Sequence, residues 1–160
     1  MKSKPFDKKA LKAELVAALE KTLAALEAAH ADTREAATHE EAKPENDKDT
    51  RALEQSYLAR GPALRIEALN AGLAATSAMS LAATTSAKAG ALITVEDEDA
   101  QTSRYYLAPE GGGTKLARGA VQVVTPASPL GAALMGKREG DEVELTLAGK
   151  KRGFTVVSVA

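Results

Sequence analysis

Apolar residues in the first half of the chain recur at alternating spacings of three and four. Val16, Leu19, Leu23, Leu26 and His30 trace the seam of a coiled coil, and Leu11 and Leu15 widen it toward the N-terminus. The pattern predicts a helix from about Phe6 to about Thr38, a rod of roughly 48 Å at 1.5 Å per residue. So narrow a seam needs a partner, and a second helical pattern follows from about Asp47 to about Leu73. Leu53, Tyr57 and Leu64 continue one seam; Ile66, Leu69 and Leu73 resume on a shifted one, with the shift at Gly61-Pro62. Proline removes a helical hydrogen bond and clashes with the preceding turn, so a kink or short break is expected there. The connection is short, which places the two helices antiparallel as a hairpin.

Residues 74–91, "AATSAMSLAATTSAKAGA", are small and weakly patterned, a helix extension that passes into a linker. Beyond them the period changes. "ALITV" (91–95), "RYYLA" (104–108), "AVQVVT" (120–125), "EVELTL" (142–147) and "GFTVVSV" (153–159) read as strands. "EDEDAQTS" and "PEGGGT" are turns or loops between the first three, and "AGKKRG" is the turn joining the last two. "SPLGAALMG" reads as one short helix: Ser128 can cap it, Pro129 suits its first position and Gly136 its stop. The expected organisation is an α+β chain: a hairpin over 1–75 with its bend at 39–49, a linker or helix extension over 76–90, and a small antiparallel-sheet domain over 91–160.

Composition narrows the chemistry. Hydrophobic residues make up 44% of the 160 residues but aromatics only 3%, which suits narrow helix seams rather than a large aromatic core. The net charge of −1 gives no bulk field toward nucleic acid or membrane. The absence of cysteine excludes disulfides, a zinc ribbon and a thiol nucleophile. The basic start "MKSKPFDKKALKAEL" is followed by no apolar run, so it does not read as a secretory signal, and no window reaches the length of a membrane span. A cytoplasmic chain is expected. A hairpin that buries its own seam needs no second copy, so a monomer is expected too.

The charge that stands out is local. "EEAKPENDKDT" (40–50) puts Glu40, Glu41, Glu45, Asp47 and Asp49 at the bend of the hairpin. Asn46 can cap the second helix, and Asp47 and Asp49 in its first turn would each be favoured by the helix dipole by about 0.3–1 kcal/mol. A solvated charge cluster is the default reading of such a run. His39 reads as an exposed residue at a helix end. Arg51 can pair with Asp47 four residues earlier or reach nucleic acid. Lys2, Lys4, Lys8, Lys9 and Lys12 read as a solvated helix face or tail. "EGGGTK" (110–115) lacks the glycine spacing of a phosphate loop and reads as a flexible loop.

"SPLGAALMGKREGDEVEL" (Ser128–Leu145) closely resembles the C-terminal signature of bacterial Gre-family transcript cleavage factors (GreA and GreB), in Ser128-Pro129, the small and apolar run to Leu134, Gly136-Lys137, and Gly140-Asp141 before a strand. "VEDED" (95–99) resembles the acidic turn usual in that family's FKBP-like C-terminal domain. At the hairpin bend, "AKPEN" (Ala42–Asn46) takes the place of the family's Asp-Leu-Ser-Glu-Asn: Glu45 and Asn46 match, while Ala42 replaces the first aspartate beside Glu41.

The resemblance implies a non-enzymatic elongation factor. Its hairpin would enter the secondary channel of RNA polymerase and bring carboxylates to the polymerase active site and the nascent RNA 3′ end. Glu41 and Glu45, with Asn46 and Asp47 beside them, would assist cleavage of backtracked RNA through a magnesium ion shared with the polymerase; no cofactor of the chain's own is implied. It also implies that the loop at Ser128 and Pro129 docks on the polymerase rim, and that Arg51 is the candidate for nucleic-acid contact. Some members carry an acid just before the Ser-Pro pair, where this chain has Ala127. The alternative is a Gre-like regulator that occupies the channel and inhibits or modulates without stimulating cleavage, motivated by Ala42. Two other classes stand beside these. A prolyl isomerase would need an aromatic pocket, for which Tyr105, Tyr106 and Phe154 are too few. A coiled-coil adaptor would bind some other partner.

Overall fold

The computed structural model describes residues 6–41 and 48–160, with side chains described at 6–32, 61–146 and 148–160. Two long helices, α1 (Lys8–Glu41) and α2 (Lys48–Ala78), precede a sheet region built from β1 (Leu92–Asp97), β2 (Thr102–Leu107), β3 (Lys115–Leu116), β4 (Val121–Val124), β5 (Glu142–Leu147) and β6 (Lys150–Val159), with α3 (Pro129–Leu134) between β4 and β5. This is the α+β architecture the sequence predicts. The chain divides into two compact units, Met1–Ala18 with Ala74–Ala160, and Leu19–Leu73.

Within Leu19–Leu73, Leu19 and Leu69 are buried, and Leu23, Leu26, His30, Ile66 and Leu73 are half-buried. The second helix corrects the expected seam. Leu64 is 58% exposed, while Pro62 is half-buried. Pro62, Ile66, Leu69 and Leu73 therefore form one stripe at spacings of four, three and four, and Leu64 is not on it. Nor is there a break at Gly61-Pro62: α2 runs continuously through Pro62. Proline lacks one donor, but the hydrogen bonds of the flanking turns carry the helix across it. Leu53 and Tyr57 lie outside the residues with described side chains.

In the sheet unit the strand order is β3-β4-β2-β1-β6-β5. Four of its pairings are antiparallel; β2 and β4 run parallel, with Tyr106 opposite Val123. The expectation of a wholly antiparallel sheet is corrected at that one pair. Residues 110–115 are also more ordered than a flexible loop. Gly113 N donates to Val123 O (2.8 Å), Val123 N donates to Thr114 O (2.8 Å), and Lys115–Leu116 adds a strand at the edge. The last hairpin turns in two residues, Ala148 (φ 52°) and Gly149 (φ 77°), so Lys150–Arg152 belong to β6 and not to the turn. Two positive φ values match the right-handed twist of the flanking strands.

Period-two alternation divides the sheet into two faces. One face packs Ile93, Val95, Leu107, Val124, Val143 and Val156 into a core that Leu134 of α3 closes. The other buries Leu92, Tyr106, Val121 and Val123, together with Leu116 of β3. The first turns of α1 lie over this second face, with Leu11 and Leu15 buried. The Glu14 carboxylate accepts from Ala117 N at 3.1 and 3.2 Å, and Arg104 stacks over the Phe6 ring at 5.2 Å. Ala117 and Arg118 hold positive φ (50° and 58°), a strained pair that the Glu14 contact fixes.

α2 has no basic residue in its last turn; α1 supplies the cations instead. Lys12 Nζ donates to Met79 O and Lys8 Nζ to Ala82 O, each at 3.1 Å, which satisfies carbonyls at and beyond a negative helix end. Burial, and then the amine of Lys88, hold the Lys8 pKa below its usual value. Lys8 and Lys12 are thus structural, where the sequence reads as a solvated face. The beginning of α1 beside the end of α2 is the antiparallel arrangement expected of a hairpin.

Tyr106 is fully buried, and its hydroxyl has no hydrogen-bond partner among the described residues. A buried, unpaired hydroxyl costs about 1–3 kcal/mol. Tyr106→Phe is therefore expected to raise Tm at neutral pH. Burial also pushes the Tyr106 pKa up to about 12 from 10.0. Between those values the unfolded chain has lost a proton that the folded chain keeps. Stability from this group is complete below pH 10 and falls as pH rises toward 12, by about 3 kcal/mol. Denaturant titrations at pH 9 and pH 11.5 check both points: wild type should lose more stability than Tyr106→Phe over that interval.

Candidate functional site

The signature stretch at α3 is built by short-range hydrogen bonds. Ser128 precedes α3 in extended conformation and Pro129 opens the helix, where proline's missing N–H is no loss. Ser128 Oγ–H donates to Thr125 O (2.7 Å), and the same oxygen accepts from Gly131 N (3.1 Å). Gly131 is buried against the Thr125 carbonyl so closely that a Cβ there would collide with its oxygen and lie 2.6 Å from its carbon. At the other end Gly136, at φ 78°, ends the helix and its N–H donates to Ala87 O (2.8 Å). Ala87 N donates to Lys137 O (2.8 Å). Gly140-Asp141 closes the next turn: Gly140 N donates to Val156 O (2.7 Å), and Asp141 Oδ2 accepts from Arg138 N (2.8 Å). Each signature position thus has a local structural task.

What α3 presents outward is unusual. Leu130, Gly131, Ala133 and Leu134 turn inward, and Pro129, Ala132 and Met135 are exposed, as are Pro126 and Ala127 before them. Met135 is 42% exposed. No charged residue occurs from 126 to 136.

A second feature lies toward the β5 edge of the sheet. Glu96, Asp97, Glu98, Glu142, Glu144 and Phe154 help line an open groove of about 530 Å³. Asp97 Oδ1 accepts from Asp99 N (2.9 Å) and Gln101 N (2.8 Å), which organises the acidic turn. Lys151 pairs with Glu144 at 3.4 Å, with both side chains largely exposed, so the pair contributes little. Among the described residues no group of three or more acidic or histidine side chains could hold a metal ion, and no helix is long and apolar enough to cross a membrane.

The three aromatics weighed for an isomerase pocket do not converge. Tyr105 and Phe154 pack against the α3-side core, and Tyr106, its strand neighbour, points to the other face.

Of the residues expected to act, Ser128 and Pro129 are placed as the start of α3. Glu45, Asn46 and Asp47 lie outside the described residues. Glu41 ends α1 and Arg51 lies in the first turn of α2, and their side chains lie outside the described set, as does that of His39. The exposed apolar face of α3 escaped sequence reading. The only available signal was the uncharged run 126–136, which a core helix would also produce.

Residues 82–160 match the family model described as transcription elongation factor, GreA/GreB, C-term. Over 74 residues the chain is 38% identical to transcription elongation factor GreA of Cereibacter sphaeroides, covering 46% of this chain and 47% of that protein. It is 35% identical over 74 residues to the GreA of Paracoccus denitrificans, covering 46% of each. The match thus spans less than half the length of these relatives. The solved structure of GreA factor homolog 1 from Thermus thermophilus superposes with a TM-score of 0.39 at 18% identity, over 91% of this chain and 94% of that one. A superposition at that level transfers no residue roles.

Proposed function

We propose, from the premise that residues 82–160 belong to the GreA/GreB C-terminal family, that this chain is a transcription elongation factor acting on bacterial RNA polymerase in the cytoplasm. The observation that carries the reading is the union of that family's sheet unit with two long helices that carry an acidic stretch. α1 alone has 34 residues, about 51 Å of rod, and Glu41 at its far end. In this reading the hairpin enters the secondary channel, α3 with Ser128 and Pro129 docks on the rim, and Arg51 lies within reach of nucleic acid.

The chain would supply carboxylates and not a complete site. Glu41 and Glu45 offer the hard oxygen donors that magnesium takes, often one or two per ion with water and phosphate completing the shell. A magnesium ion held in part by Glu41 and Glu45 would supply charge stabilisation for phosphodiester cleavage. Asn46 and Asp47 would cap α2 and hold the bend in position. The polymerase would remain the enzyme.

The test adds the purified chain to backtracked transcription complexes with magnesium and follows the length of labelled RNA. Rapid shortening is expected. A second reading rests on Ala42, which removes a carboxylate from the bend: a regulator that occupies the channel without stimulating cleavage. Polymerase binding with no shortening would select it, and no binding would overturn both.

A further inference from the structure

α1 passes without interruption from one compact unit into the other. Its start, to Ala18, belongs with the sheet unit, and Leu19 onward belongs with the rest of the hairpin. The start is tied down on two sides. Glu14, just before the buried Leu15, sends its carboxylate to Ala117 N at 3.1 and 3.2 Å. Lys12 Nζ donates to Met79 O at 3.1 Å, immediately beyond the end of α2. The root of each helix is thereby held by a charged side chain of α1.

The turn that Glu14 grips is a firm support. Ala117, Arg118 and Gly119 take positive φ in succession (50°, 58° and 90°). For Ala117 and Arg118 that region is costly and persists only where the surroundings over-determine it. Leu116 before them is fully buried and pairs with Val121, and Ala120 N donates to Ala117 O (3.2 Å). A carboxylate on a backbone N–H is a charge-assisted bond, stronger than a neutral one.

The length of α1 gives this contact leverage. About 40 Å of helix separates Glu14 from Glu41. Over that length a tilt of about 3° at the root carries the far end about 2 Å. Chemistry is sensitive to less than that, because a misplacement of about 1 Å costs about 100-fold in rate. Affinity has no such requirement for aligned reacting atoms.

We infer that Glu14, with Lys12, is a positioning residue for RNA cleavage: by fixing the root of α1 it sets where the carboxylates at the hairpin bend meet the reacting phosphate. The inference rests on the cleavage reading above and adds to it residues remote from the chemistry. Neither side chain touches the RNA; each acts through the helix that carries Glu41.

The experiment titrates the full chain into backtracked transcription complexes with magnesium and reads two quantities, the cleavage rate at saturation and the half-saturating concentration. Thermal unfolding first establishes that each variant is folded at the assay temperature. Glu14→Ala is expected to lower the saturating rate about tenfold or more, with the half-saturating concentration within about threefold of wild type. Loss of folded protein alone would do the reverse, raising the half-saturating concentration and leaving the saturating rate unchanged. Glu14→Gln, whose amide oxygen still accepts from Ala117 N, should restore most of the rate. Lys12→Met keeps the packing of the stem and removes the donor, so it should reproduce the split, and it answers the question if Glu14→Ala does not fold. Lys9→Met, at an exposed neighbour, should leave both quantities unchanged. Wild-type saturating rates in both Glu14→Ala and Lys12→Met would overturn the positioning role while the cleavage reading stands. Wild-type binding without shortening of the RNA would overturn the positioning role and select the channel-occupying regulator. Failure of wild type to bind would overturn the polymerase reading, and the positioning role with it.

Discussion

Gly131→Ala is expected to destabilise the sheet unit by about 3 kcal/mol, a fall in Tm of roughly 10–20 °C. Two effects oppose each other. Alanine is the better helix former by about 1 kcal/mol, and Gly131 sits inside α3. Against that, the new methyl would occupy the space of the Thr125 carbonyl. That carbonyl cannot swing away cheaply, because it accepts from both Ser128 N (3.0 Å) and Ser128 Oγ (2.7 Å). Relief requires α3 to lift from β4, which pulls Leu134 out of the core it closes. The clash therefore outweighs the propensity. Ala132→Gly on the exposed side is the matched control, with a loss near 1 kcal/mol from helix propensity alone. Thermal unfolding followed by circular dichroism measures both, and a Gly131→Ala variant as stable as wild type would mean that α3 does not approach Thr125 this closely.

The fold was legible wherever one residue's neighbours decide its state. Five strands follow from runs of β-branched and aromatic residues, and α3 from Ser128, Pro129 and Gly136 acting within one or two turns. What escaped depends on partners distant in sequence. Lys115–Leu116 is a strand only because Val121 and Gln122 stand beside it; two residues carry no period of their own. The parallel pairing of β2 with β4 likewise has no local mark. At Pro62 the pattern misleads because proline reads as a helix breaker and Leu64 as the apolar residue of choice, while Pro62 sits on the stripe itself. Lys8 and Lys12 looked like a solvated face because the carbonyls they satisfy, at Ala82 and Met79, lie about 70 residues away. The bend is a different case. Acids that cap a helix and acids that share a metal have the same composition and nearly the same spacing, so Glu41 and Glu45 are separated from Asp47 and Asp49 by resemblance alone.

That ambiguity sets the second large effect. Glu41→Ala with Glu45→Ala is expected to lower RNA cleavage in backtracked complexes about a hundredfold or more, with affinity for polymerase within about threefold of wild type. The magnitude follows from losing charge stabilisation at a reacting phosphate, where one well-placed group contributes about 10²–10³ in rate. Asp47→Asn with Asp49→Asn is the contrast. If those two acids only favour the first turn of α2, their loss costs about 1–2 kcal/mol of helix-end stability and leaves the cleavage rate within a few fold. Raising magnesium separates the cases further, because a weakened shared ion is recovered by mass action and a frayed helix end is not. Equal losses from both pairs would mean that the bend acts as a diffuse negative field. A large loss confined to Asp47 and Asp49 would reverse the assignment and make Glu41 and Glu45 the solvated pair. Ala42→Asp completes the series: a gain in cleavage would show that Glu41 reaches the ion from a displaced position, since shifting a carboxylate by an ångström is enough to cost rate.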